Sequence, residues 1–102
     1  MKKHQMYFDA DRWFGDIQVR SISPAARGLL ADMAALMNRD RMLVSPGNKS
    51  FSSTQIARLG GHGDETCIIL LEELHQAELI KVEDTGYSVA PGIFDFPKRR
   101  KQ

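Results

Sequence analysis

One cysteine, Cys67, in 102 residues excludes an internal disulfide and suits a reducing cytoplasm. No run of 18 or more apolar residues is present, so no membrane span is expected. The basic start, Met1-Lys2-Lys3-His4-Gln5, is not followed by an apolar segment of signal-peptide length. His4, His62 and His75 are dispersed, and with Cys67 they show no zinc-site spacing. Gly60-Gly61-His62-Gly63 lacks the lysine and the serine or threonine of a phosphate-binding loop and reads as a turn. Cys67 has no visible base partner, and no carboxylate pair stands out as acid and base. The expectation is a protein that is not an enzyme, with no cofactor, no metal and no small-molecule substrate. Internal repeats and long low-complexity stretches are also lacking.

What remains suits one small domain with a modest core, since 42% of the residues are hydrophobic. The formal charge of +1 hides an asymmetry. Lys98, Arg99, Arg100 and Lys101 form a basic tail, 98–102, and the rest of the chain has 10 basic and 13 acidic residues. Attraction to phosphate must therefore come from local patches or from the tail.

The pattern along the chain predicts a mostly α fold with a small β-hairpin (α+β), a winged helix-turn-helix over residues 1–97. Met6-Tyr7-Phe8 reads as a short strand. Asp9 or Asp11 can cap a short helix, 11–18, that places Trp13 and Ile17 on one face. Ser23-Pro24 starts a helix over 24–38. Serine accepts a bond from a free amide, and proline fits the first turn. Ala26, Leu29, Leu30, Met33, Leu36 and Met37 then recur at three- and four-residue steps. Gly28 inside this helix costs roughly 1 kcal/mol against alanine and suggests a close neighbour. Met42-Leu43-Val44 is a candidate strand to pair with the wing, and Ser45-Pro46-Gly47-Asn48 reads as a turn.

Ser52-Ser53-Thr54-Gln55 is a capping box, with Phe51 and Ile56 as a hydrophobic staple, and opens a helix over 53–60. Glycine at Gly60-Gly61 accepts the left-handed geometry of a helix end. Asp64 is the expected cap of a helix over 64–77, with Cys67, Leu70, Leu71 and Leu74 facing the core. Strands 79–83 and 87–90 around Asp84-Thr85-Gly86 form the wing. Phe94 and Phe96 are expected to pack back onto the body.

A helix pair followed by a hairpin points to double-stranded DNA, where the second helix of such a pair enters the major groove. The charges argue against that simplest version. The outward face of helix 64–77 should carry Glu65, Ile69, Glu72, Glu73 and Gln76, and carboxylates repel phosphate. Candidate DNA contacts lie elsewhere, on Lys49, Ser52, Ser53, Arg58, His62, Lys81, Lys98, Arg99, Arg100 and Lys101. Hydroxyls and amides at a helix start also suit a phosphate. The acidic, Ile69-bearing face is the alternative: a protein-interaction module, homodimer or adaptor, without direct DNA contact.

Several of these segments resemble a family of small winged-helix domains from phages and prophages. That domain often stands at the N-terminus of replication-initiation, or replisome-organiser, proteins. The likeness runs through Trp13-Phe14-Gly15-Asp16, Ser23-Pro24-Ala25-Ala26-Arg27-Gly28-Leu29-Leu30 and Leu36-Met37. It continues through Ile56-Ala57-Arg58-Leu59-Gly60, Leu71 to Leu74 and Leu79-Ile80, covering roughly residues 7–90. The resemblance implies a DNA-associated role in mobile-element replication or its regulation. No second, helicase-loading domain is expected in this chain.

Overall fold

The computed structural model describes residues 6–38, 40–43, 51–83 and 86–96. In chain order the elements are β1 (Tyr7–Phe8), α1 (Ala10–Gly15), α2 (Ile17–Ser21), α3 (Pro24–Leu36), α4 (Ser53–Gly60), α5 (Asp64–Gln76), β2 (Ile80–Glu83), β3 (Gly86–Val89) and β4 (Phe94–Asp95). The fold is mostly helical with small antiparallel strand pairs, an α+β arrangement. No helix among the described residues is long and apolar enough to cross a membrane.

Three helices build the core because each carries an apolar stripe at helical spacing. Leu29, Leu30 and Met33 of α3, Ile56 of α4 and Cys67 and Leu74 of α5 are almost wholly buried. Ile80 and Val89 close this core from the hairpin side. Full burial of a leucine-sized side chain contributes roughly 2 kcal/mol, so these few positions dominate the stabilisation.

The caps follow the local chemistry. Ser23 accepts a bond from the Ala26 amide at 3.2 Å, and Pro24 occupies the first turn of α3. The box at Ser52 and Gln55 is complete: the Ser52 amide donates to Gln55 Oε1 at 2.9 Å and the Gln55 amide to Ser52 Oγ at 3.2 Å. Gly61 ends α4 at φ 75°, a left-handed geometry that a Cβ would oppose.

The hairpin pairs Ile80 with Val89 and Val82 with Tyr87. A third segment lies on the other side of β3. Met42 bridges Ser88, the Leu43 amide donates to the Tyr87 carbonyl at 3.0 Å, and the Val89 amide donates to the Arg41 carbonyl at 3.3 Å. The expected strand partner of the hairpin is therefore present at Met42 and Leu43, while Val44 lies outside the described residues. Arg41 itself sits at φ 67°. Its guanidinium donates to the carbonyls of Val89 (2.9 Å), Ala90 (2.7 Å) and Phe94 (2.6 Å) and reaches Asp95 Oδ1 at 3.3 Å.

A second strand pair joins the two ends of the described chain. Tyr7 and Phe8 pair antiparallel with Asp95 and Phe94. Phe8, Trp13 and Phe94 stack mutually at 5.3–5.7 Å between ring centroids. Phe94 is buried and Phe96 is packed against the core, as the sequence led us to expect.

Several expectations are corrected. The helix expected over 11–18 is two helices broken at Asp16. This residue is extended (ψ 124°) and caps the second helix through the Gln18 amide at 2.8 Å. Trp13 and Ile17 thus share no face: Trp13 packs on the core while Ile17 is 81% exposed. The helix expected over 24–38 ends at Leu36, with Met37 as its cap. Gly28 meets no neighbour, since a Cβ there would find nothing within 4 Å. Asp64 does not cap α5: Gly63 holds the cap position without a side-chain bond. Asp64 and Glu65 instead fall in the first turn, where negative charge favours the exposed amides. The first hairpin strand starts at Ile80, one residue later than expected, and the second spans Gly86–Val89, one residue earlier than 87–90; the Ala90 amide still donates to the Leu79 carbonyl at 2.9 Å.

Candidate interaction surfaces

The predicted DNA contacts divide into those the fold uses, those it leaves exposed, and those outside the described residues. Ser52 is committed to the capping box, so its amide and hydroxyl are already engaged. Ser53 is half-buried at the start of α4, where its carbonyl lies 3.7 Å from Cys67 Sγ. Arg58 is exposed in the last turn of α4, and His62 is half-buried just beyond it. Lys81 is exposed on β2. Lys49, Lys98, Arg99, Arg100 and Lys101 lie outside the described residues.

Charge is unevenly divided. The described residues hold six lysines and arginines against twelve aspartates and glutamates. Four of those six cations are held internally. Arg12 pairs with Asp16 at 3.6 Å. Arg20 donates to the Trp13 carbonyl and lies over the Phe14 ring. Arg27 donates to the Val19 carbonyl at 3.3 Å, and Arg41 makes the four contacts given above. Arg58 and Lys81 show no such contact among the described residues. They also stand on different elements: Arg58 is at the C-terminal end of α4, and Lys81 is on β2 beside Asp40 and Glu83.

Of the five residues expected on the outward face of α5, four are exposed there. Glu65, Ile69, Glu72 and Gln76 are exposed on α5, and the helix has no lysine or arginine. Glu73 belongs elsewhere. Its carboxylate accepts from the Ser23 amide at 2.5 Å and from the Ser23 hydroxyl at 3.0 Å, which ties α5 to the start of α3. A helical turn carries residue 73 round toward α3, away from the face centred on Glu65 and Glu72.

Sequence reasoning missed Ile68 and Val82, which are 53% and 51% exposed. They flank an open groove of about 300 Å³ between α5, the start of α4 and the hairpin. Leu71 and Tyr87 also line it, and Ser53, Glu72, His75 and Gln76 add polar atoms. The signal for Ile68 was the Ile68-Ile69 pair itself: adjacent residues point about 100° apart on a helix, so a core stripe at Cys67, Leu70, Leu71 and Leu74 cannot take both. A second apolar area was also missed. Tyr7, Phe8, Phe14 and Ile17 are all at least half exposed near the N-terminal strand and helices.

Burial pushes the Cys67 thiol upward from its ordinary range, with the negative charge of Asp64 adding to the effect. The thiol therefore stays protonated and is a poor nucleophile. Burial likewise raises the Tyr87 phenol, with Cys67 contributing further. No group of three or more histidine, cysteine, aspartate or glutamate side chains among the described residues could hold a metal ion.

Comparison with protein-family models, with curated proteins and with solved structures finds no match to this chain.

Proposed function

We propose that the chain is a winged-helix domain of the mobile-element type, acting in replication initiation or transcriptional regulation. In this reading it holds double-stranded DNA by its phosphate backbone and does not insert α5 into the major groove. The order of elements supports the fold assignment: strand segment, α4, glycine turn, α5, hairpin, with the segment at Met42 paired beside β3. Charge carries the rest. Eight of the fourteen lysines and arginines fall in residues 1–5, 39, 44–50 and 97–102, which together hold no aspartate or glutamate. Contacts from those segments, with Arg58 and Lys81, are sequence-independent and salt-sensitive, because each phosphate contact releases a condensed counterion and that release is less favourable at high salt.

The test is a fluorescence-anisotropy titration of a random duplex. If the four cations of 98–101 each meet a phosphate, affinity falls about 100-fold between 50 and 200 mM salt. Replacing Lys98, Arg99, Arg100 and Lys101 together by glutamine should abolish most of that slope. Replacing Glu65 and Glu72 by alanine should change affinity by less than about threefold, since α5 faces away from the duplex. Absence of binding in dilute buffer, or binding indifferent to salt, refutes the proposal.

A second reading has its own support. Ile68 and Ile69 are exposed among acids on a helix without cations, which suits a protein contact better than a solvated face. Under it the domain is a homodimer or adaptor and makes no DNA contact. Light scattering on the protein and on an Ile69→Glu variant tests the dimer form; a monomer in both cases defeats it.

A further inference from the structure

The groove beside α5 has a chemistry that selects its occupant. Its apolar walls come from two different elements, Ile68 of α5 and Val82 of β2, and both are about half exposed. Leu71 and Tyr87 also line the groove. The two walls stand on separate elements, so no rotation of one helix would hide both. The lip is anionic. Glu72 lines the groove, and Glu65 stands seven residues earlier on the same face, about 10 Å along the helix.

His75 and Gln76 also line the groove, but no lysine or arginine among the described residues does. Lys81 alternates with Val82 along β2 and so lies on the opposite face of the hairpin, beside Asp40 and Glu83. Arg58 stands at the far end of α4 from Ser53. An acidic peptide or a phosphate backbone would meet uncompensated carboxylates here. A neutral apolar peptide would cover the walls but bring no opposite charge to Glu65 and Glu72.

We propose that this groove docks a cationic segment of a partner protein, with a large apolar side chain seated between Ile68 and Val82 and lysines or arginines on Glu65 and Glu72. The spacing of the two carboxylates matches cations one heptad apart on a helix or about three residues apart on an extended chain. This deepens the second reading above and is independent of the phosphate contacts in the first.

The experiment uses the whole chain and three synthetic peptides of one leucine pattern, whose other positions are lysine, serine or glutamate. Binding is followed by backbone amide shifts in NMR, without DNA. The lysine peptide should bind, with shifts centred on Ile68, Glu72, Val82 and Tyr87. Val82→Ser should weaken it at least tenfold, and Glu65→Lys with Glu72→Lys should abolish it. Both changes are at exposed positions, and an unaltered amide spectrum away from the groove verifies the fold. Equal binding of the serine or glutamate peptide in the groove overturns the charge assignment. Lysine-peptide shifts spread over Asp9 and Asp11 as well overturn the site. Concentration-dependent groove shifts without any peptide overturn the cationic partner in favour of a second copy, leaving α5 a protein contact.

Discussion

Arg41 is the side chain whose loss should damage this domain most for its size. It links the segment before α4 to the hairpin and to β4 through three carbonyls, on Val89, Ala90 and Phe94. Its side chain is 21% exposed, so the bonds are only partly screened. A hydrogen bond to a charged donor is worth about 1.5–3 kcal/mol when buried, and about 1 kcal/mol each is a fair value here. The Asp95 pair is more open, at 42% for the carboxylate, and adds little. Arg41→Ala should therefore cost about 3 kcal/mol, a large share of the total for a domain of this size. Urea unfolding followed by circular dichroism reads this as a midpoint lowered by roughly 2 M. Arg41→Lys should lose about 2 kcal/mol, because an ammonium cannot fork to three acceptors. Arg41→Gly should be less harmful than alanine by about 1 kcal/mol, since glycine relieves the backbone at φ 67°. An alanine variant within 1 kcal/mol of the parent, or a lysine variant equal to it, would refute the reasoning.

Three further outcomes follow from contacts already described. Glu73→Ala should cost about 1–2 kcal/mol through its two bonds to Ser23, while the neighbouring Glu72→Ala stays within about 0.5 kcal/mol; thermal melting of both variants separates a structural acid from a surface one. Gly61→Ala should destabilise by about 1–2 kcal/mol, because alanine resists φ 75°, and the same melts read it. The thiol of Cys67 is raised in the fold, so the unfolded chain loses its proton first as pH rises. Its stabilising contribution is complete below the ordinary thiol value of 9.0 and is lost progressively above it; urea midpoints from pH 7 to 10 should fall above pH 9 less steeply in Cys67→Ala.

The long helices could be read from the chain because their signals are local and redundant. Ser23-Pro24, the Ser52 box and Gly60-Gly61 each state a helix boundary in a few adjacent residues, and the apolar steps between them agree. The hairpin was legible for the same reason. The break at Asp16 was not, because one aspartate both leaves the first helix and caps the second within a continuous helical pattern. Nor was the pairing of β1 with β4, since two-residue strands have no period to detect and their partners lie at opposite ends of the chain. Of the candidate surfaces, exposure at Glu65, Ile69, Glu72 and Gln76 could be read from helical spacing. The groove could not, because Ile68 and Val82 face each other only once β2 returns alongside α5. Glu73 was misplaced because its partner, Ser23, is fifty residues away.

The clasp of Tyr7 and Phe8 with Phe94 and Asp95 has a consequence for how charge is delivered. Lys2, Lys3, Lys98, Arg99, Arg100 and Lys101 are tethered within six residues of that one clasp. Contour length alone confines all of them to about 20 Å from it, which amounts to a local cation concentration on the order of 0.3 M. Two groups of cations more than ninety positions apart in the sequence thereby share one tether, the paired strands β1 and β4.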